Sequence, residues 1–410
     1  MLDKLFEISY KFLKIKNFSY KRYFIKTVKL GHRLSIIVGQ RGVGKTTTLV
    51  QLLLQKVQED QFSQKILYVQ ADHFVMGKTS LYEVAEAFYL QGGLWLAIDE
   101  IHKYPNWSQE LKSIYDTFVE LTLFVSGSSA LEIYQGSHDL TRRSVCYSMY
   151  GLSFREYLEM THQVQFDAIS LEDLCKNHQK NADVILQKLK QIDKRVLSEF
   201  LKYLKMGYYP YFAELQDSDA YAMTLEQNFH AIIEVDLAAA HPHLTGGSIK
   251  KIKQLLIFIA SAVPFTPNWS KIQSILDIGD LRTLKTYFFH LETACLVRSI
   301  SKASSKLSKI ESSDKIYLDN TNQLFSISSS LPDPGTVRET FFLSMLAQSH
   351  EVTLPLQGDF LVDQKYLFEV GGKNKKYSQI KGLSSSFLAC DGIEIGSQNK
   401  IPLWLLGFLY

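Results

Sequence analysis

The run GQRGVGKTTTLV at 39–50 follows the apolar stretch LSIIV at 34–38 directly, and no other feature restricts the fold so strongly. Glycine costs backbone entropy, so several glycines between a buried strand and a helix need a reason. The spacing from Gly39 to Gly44, Lys45 and Thr46 fits G-x-x-x-x-G-K-[ST]. In that pattern successive backbone N–H groups turn inward at a helix N-terminus and cradle phosphate oxygens. Gly39, Gln40, Arg41, Gly42, Val43, Gly44, Lys45, Thr46 and Thr47 are therefore the candidate nucleotide-binding residues. Lys45 is expected to reach the terminal phosphates of ATP, and the Thr46 hydroxyl to ligate Mg²⁺. The alternative is a glycine-rich turn with a solvated lysine. The strand before the run and the helix TTLVQLLLQ after it supply the context that the phosphate reading requires.

Further apolar runs separated by helical stretches predict a parallel, helix-covered sheet. They are ILYVQAD at 66–72, LWLAIDE at 94–100 and LTLFVSGSS at 121–129. Asp99 ends the second run, where a carboxylate can hold Mg²⁺ through water, and Glu100 beside it can polarise the water that attacks the γ-phosphate. A strand ending in an acidic turn is the plainer alternative. Ser126 or Ser128, at the end of the third run, could meet the γ-phosphate or the lytic water, or could cap the following helix. Arg142 and Arg143 follow, and a guanidinium near a transferring phosphoryl group raises its rate of transfer.

At 410 residues and 46% hydrophobic content the chain can bury several cores. It shows neither an 18-residue apolar run nor the apolar segment of a signal peptide, so no membrane span and no secretion are expected. Cys146, Cys175, Cys295 and Cys390 lie far apart without C-x-x-C spacing, which argues against zinc and against a disulfide framework and fits the cytoplasm. Net charge is +3, yet residues 1–30 hold eight Lys and Arg against Asp3 and Glu7, a local +6. Such an arm can touch nucleic acid or acidic lipid, or it can be a solvated helix face.

The succession GQRGVGKTT, LAIDEIHKYPNWSQELKSIYD, LFVSGSSALEI and GLSFREYL resembles the AAA-type P-loop ATPases of bacteria and archaea that carry a C-terminal domain of unknown function with a nuclease-like fold. The resemblance continues through YLKMGYYPYF, KIYLDNTNQLF, RETFFLSML, GDFLVD and FEVGGKNK. It implies an AAA-like core with Gly39 to Thr46 as Walker A, Asp99 and Glu100 as Walker B, a sensor near Ser126 to Ser128, and Arg143 as a finger or sensor. Lys45, Glu100, Ser126 and Arg143 thus form the expected catalytic set, with Thr46 and Asp99 on the metal.

Residues 161–245 are mostly polar-helical and read as a lid or linker after an ATP-binding domain over 1–160. Within 246–312, FTPNWSKIQSILDIGDLRTLKTYFFHLETACLV has the order of a winged helix-turn-helix. Its second helix carries Arg282 and Lys285 as candidate DNA contacts; a packing or dimerisation unit is the alternative. Over 313–410, Glu339, Asp359 and Glu369 are arranged like the metal-binding acids of PD-(D/E)XK nucleases. The lysine expected two residues after the second-strand acid is Gly371 here, and Lys373 could reach the site only through a bulge. A nuclease-like fold retained as a structural or DNA-holding module is the other reading.

The expected whole is α/β: an AAA-like P-loop parallel sheet, a helical lid, a winged helix and an α/β nuclease-like domain. Its expected activity is MgATP hydrolysis coupled to a half that handles DNA, with little or no nuclease activity. One rival is an ATP-driven switch that recruits a protein partner; another is a metal-dependent nuclease regulated by ATP. Assembly into homo-oligomers is compatible with the sequence.

Overall fold

The computed structural model describes residues 1–77, 79–127, 140, 142–215, 217–241, 243–302, 315–328, 331–376 and 382–410. The chain forms two compact units, one of 1–151 with 235–242, the other of 152–234 with 243–410.

The first unit begins with α1 (Leu2–Ile15) and α2 (Tyr23–Thr27). The apolar runs then become β1 (Leu34–Val38), β2 (Ile66–Gln70), β3 (Trp95–Asp99) and β4 (Thr122–Gly127), followed by β5 (Ser144–Ser148). Between them lie α3 (Lys45–Lys56), α4 (Leu81–Leu90) and α5 (Trp107–Thr117). The sheet is parallel throughout, in the order β2-β3-β4-β1-β5. All five residues of β1 are buried, as strands covered by helices on both faces must be. Because β4 lies between β1 and β3, the C-terminal ends of the phosphate-loop strand and the acidic strand open onto one crevice, with Ser126 between them.

The basic arm at the N-terminus is not a purely solvated face. Leu2, Leu5, Phe6 and Leu13 of α1 enter the core of this unit, and the Ser9 hydroxyl accepts from the Tyr68 amide of β2 at 3.0 Å. Arg22 is buried and donates to three carbonyls: Val43 in the phosphate loop at 2.8 Å, Tyr150 at 2.8 Å and Gly151 at 2.7 Å. Gln51 of α3 donates to the Phe18 and Tyr20 carbonyls, both at 2.9 Å. Arg22→Ala would leave three carbonyls short of a donor, at a cost of roughly 3 kcal/mol. Thermal unfolding of this unit is expected to fall by several degrees, and a melt indistinguishable from the parent would refute the clamp.

The second unit continues with α6 (Phe154–His162), α7 (Leu171–Gln191), α8 (Val196–Met206) and α9 (Ser218–Ala231). A π turn (Ile232–Asp236) and α10 (Leu237–Ala240) follow, mostly in the segment assigned to the first unit. The chain then makes α11 (Gly246–Ala262), α12 (Trp269–Ile275) and α13 (Leu281–Thr293), and the antiparallel pair β6 (Val297–Ile300) and β7 (Lys315–Leu318). Next come α14 (Thr321–Ile327) and α15 (Pro334–Leu346). A second sheet closes the fold: β8 (Val352–Thr353), β9 (Phe360–Val362), β10 (Tyr366–Gly371), β11 (Ser386–Cys390) and β12 (Lys400–Pro402). Its order is β12-β11-β10-β9-β8, parallel over β10 to β12 and antiparallel from β10 to β8.

Helices α6 and α8 build this unit's core together with α15 and the closing turn 403–408, through edge-on contacts among Phe154, Phe200, Tyr203, Phe341 and Phe408. The stretches GYYPYF and DNTNQLF meet in one buried polar network. Asn322 accepts from the Tyr208 amide at 2.8 Å and the Tyr221 hydroxyl at 2.6 Å, and donates to the Tyr203 and Leu204 carbonyls at 3.0 Å. Every such buried group must find a partner, which is why these polar residues sit together.

Candidate nucleotide site

Gly42 and Gly44 adopt φ of 86° and 100°, a region that costs residues with a Cβ, and a side chain at Gly39 would collide with the Met149 carbonyl. Gly44 caps α3, so the loop wraps the N-terminus of a twelve-residue helix, where backbone donors and the helix dipole favour an anion. Lys45 is buried, and its ammonium donates to the Gly39 and Gln40 carbonyls, both at 2.9 Å. Burial lowers its pKa, against the pull of Glu100, Asp99 and Asp236.

Asp99 is the hub of the opposite wall. Its Oδ2 accepts from the Thr46 hydroxyl at 2.6 Å and the Tyr68 hydroxyl at 2.7 Å, and its Oδ1 accepts from the Ser126 hydroxyl and from the Glu100 amide at 3.2 Å. Burial and the Asp99 carboxylate raise the Tyr68 pKa far beyond the ordinary phenol range, so this hydroxyl stays a donor. Hard oxygen donors from Thr46 and Asp99, side by side next to a phosphate cradle, are the residues that would hold Mg²⁺.

Glu100 takes a left-handed backbone, φ 54° and ψ 41°, unusual for a residue with a side chain and costly unless its neighbours enforce it. That conformation turns the carboxylate off the strand axis toward His102 Nε2 and Lys103 Nζ, each 3.6 Å from Glu Oε2. Lys103 is anchored in turn by Asp72 at 2.7 Å. Burial pushes the His102 pKa down to about 4, so the imidazole is neutral at pH 7.

Two expected catalytic residues are placed differently from their sequence reading. The Ser126 hydroxyl donates to Asp99, and its oxygen lies 3.4 Å from the Glu100 amide; it fixes the two acids instead of reaching for a phosphate. Ser128 lies outside the described residues. Arg143 precedes Ser144, which pairs with Leu34 at the start of β1, so it stands at the N-terminal end of the strands, about 17 Å of strand from the end that carries the phosphate loop. There it makes a bidentate pair with Asp116, at 2.8 and 2.9 Å. This placement does not let it act as a finger or sensor on its own subunit's nucleotide. The structure also adds two residues that sequence reading passed over: Arg22, counted only as a surface charge, and Asp236, whose carboxylate oxygen lies 4.0 Å from Arg41.

In the second unit the three acids of the candidate nuclease-like site each have their own partner. Glu339 accepts from Lys315 at 2.7 Å and Tyr317 at 2.8 Å, and Asp359 accepts from the Val370 amide at 2.8 Å. The Lys375 ammonium lies 2.8 Å from Glu369, which is fully buried. Burial, with Glu339 nearby, raises the Asp359 pKa. Among the described residues no three His, Cys, Asp or Glu side chains converge to hold a metal ion. Of the lysines that follow β10, it is Lys375 that pairs with Glu369. Its Cβ and Cγ lie 2.6 Å from where a side chain on Gly371 would begin, so Lys375 folds back over that glycine. The Lys373 carbonyl meanwhile accepts from Lys400 at 2.9 Å.

Residues 31–158 match the AAA domain family, and residues 197–322 match a domain of unknown function, DUF8612. An uncharacterised protein of Methanocaldococcus jannaschii is 25% identical over 401 residues, covering 90% of this chain and 81% of its own. Among solved structures, AMPPCP-bound DnaA from Aquifex aeolicus aligns with 12% identity and a TM-score of 0.28, over 70% of this chain and 88% of that one. PCH-2 of C. elegans aligns with 12% identity and a TM-score of 0.26, over 43% of this chain; the present chain spans 48% of that one. The AAA match over 31–158 and the geometry of the phosphate loop support an AAA-type P-loop ATPase domain in the first unit.

Proposed function

We propose that the protein hydrolyses MgATP in its first unit and uses the nucleotide cycle to control DNA held by its second. The observation that carries the ATPase half is the hydrogen bond from Thr46 to Asp99, which brings the two oxygen donors for Mg²⁺ together while Glu100 follows in a strained, half-buried turn. When bound, Mg²⁺ neutralises the phosphate oxygens. Lys45 holds the terminal phosphates, Glu100 orients the attacking water and takes its proton, and Ser126 and Tyr68 keep Asp99 in place.

For DNA, support comes from the order helix, helix, helix and antiparallel pair over α11 to β7, and from exposed Arg282 and half-buried Lys285 on α13. Cleavage is not part of the proposal, because Lys315, Tyr317 and Lys375 already engage the acids that a nuclease would direct at metal. Reversing charge at Arg282 and Lys285 together is expected to weaken DNA binding and reduce its log–log salt slope by about two, with basal ATP hydrolysis unchanged. Binding measured by fluorescence anisotropy across salt concentrations reads both numbers, and an unaltered slope would exclude this helix as the DNA contact.

One observation favours the second reading, a switch that recruits a protein. Leu281, Arg282, Lys285 and Phe289 on α13 line a groove of about 810 Å³ whose other walls include Trp269, Ile300 and Val352. Exposed Leu281 and Phe289 suit an apolar partner better than a base edge.

A further inference from the structure

Arg41 lies in the middle of the phosphate loop, with its side chain 42% exposed, while the carboxylate it faces, Asp236, is 7% exposed. The two are 195 positions apart in sequence, by the difference of their numbers. Residues 235–242 group with the nucleotide-binding unit, although the chain up to Glu234 and from His243 onward belongs to the other. Asp236 also ends the π turn Ile232–Asp236, and such turns sacrifice regular helical bonding and concentrate at functional positions. The local chain is thus irregular where it delivers this carboxylate.

A buried carboxylate needs compensating charge. Besides Arg41, the groups within electrostatic reach of Asp236 include Lys45 and His102. Of these, Arg41 and Lys45 are cations of the phosphate loop. A polyphosphate seated in that loop directs its own negative charge at the same two cations. Asp236 and the phosphates therefore draw on one pair of positive charges and repel one another. The repulsion is greatest for the γ-phosphate, because Asp236 also neighbours His102, two residues from Glu100, where that phosphate must meet its water.

Building on the P-loop reading above, we propose that Asp236 is a tethered competitor of the γ-phosphate: it opposes ATP more than ADP, and ATP binding loosens the segment 235–242. It is a specificity-determining residue that acts through charge and not through a bond to the nucleotide. Since the chain runs into the second unit on both sides of this segment, a change of the terminal phosphate becomes a change in how tightly the segment is held.

The test uses the full-length protein and equilibrium binding of fluorescent ATP and ADP analogues in Mg²⁺. Asp236→Asn, which keeps the shape and removes the charge, is expected to tighten ATP binding about tenfold and ADP binding less than about threefold. Glu234→Gln, an exposed carboxylate two residues upstream, should change neither. In the unmodified protein, amide hydrogen exchange over 237–241 should be faster with ATP than with ADP, which keeps the idea testable if the variant folds poorly. ATP binding unchanged or weakened by Asp236→Asn, or exchange over 237–241 unchanged or slowed by ATP, would overturn the proposal. If the parent binds no ATP, or Lys45→Ala binds it as well as the parent, the phosphate-loop reading itself fails; if only Asp236→Asn behaves like the parent, the loop stands and the competitor does not.

Discussion

Lys45→Ala is expected to lower ATP affinity by about two to three orders of magnitude and to abolish measurable hydrolysis. The ammonium is the loop's buried charge, and it is held in place by two carbonyls of the loop at 2.9 Å. A polyphosphate gains more from that fixed cation than from a surface lysine, because the buried setting screens it less. Alanine removes the charge and also leaves the Gly39 and Gln40 carbonyls without their donor, so the loop loses both its attraction and its shape. Titration with a fluorescent ATP analogue and phosphate release under saturating nucleotide measure the two losses. Parent-like affinity would mean that the glycine-rich turn does not hold phosphate.

Glu100→Gln should separate binding from turnover. Its side chain lies outside the hydrogen bonds that tie Thr46, Asp99, Tyr68 and Ser126 together, so the cradle keeps its form. The amide retains size and dipole but cannot take a proton from water. A general base contributes about 10²–10⁴-fold, so hydrolysis should fall by at least about a hundredfold while ATP affinity stays within about threefold of the parent. Single-turnover measurement with bound ATP gives the chemical step directly. Hydrolysis at the parent rate would assign the water-activating role elsewhere, and His102 and Lys103, the neighbours of this carboxylate, would be the next residues to examine.

The parts legible in the sequence are those whose chemistry is written in consecutive residues. The loop from Gly39 to Thr46 and the acids at 99 and 100 each follow an apolar strand, and strand and motif predict one another. Arg143 was misleading for a reason of direction: its neighbours in sequence are near the catalytic strands, but it precedes β5 and so falls at the N-terminal end of the strands, away from the phosphate loop. Arg22 was hidden by composition, since a lysine-rich arm reads as solvated, and only the fold shows one guanidinium turned inward to three carbonyls. Asp236 had no local signal at all. A single aspartate in an unremarkable helical stretch becomes informative only when the chain returns it to the loop it left nearly two hundred residues earlier. In the second unit the two helices around the turn near Gly279 and the apolar strand after them were legible from periodicity and turns, whereas the pairing of that strand with Lys315–Leu318, and the assignment of partners among Glu339, Asp359 and Glu369, depend on long-range contacts and side-chain reach, which spacing does not encode.

Lys375 shows what that difference means for searching sequences by pattern. A string in which an acid is followed two places later by a lysine scores this chain as lacking the cation, because position 371 is glycine. Yet the absence of a side chain there is what makes room for a longer reach from four places downstream, and the ammonium arrives beside Glu369 all the same. The glycine and the distant lysine are two halves of one substitution. Relatives that exchange one half without the other would carry either two amines crowded into a space made for one, or none, so the two positions should vary together, and a pattern that scores them jointly would find chains that the simpler string discards.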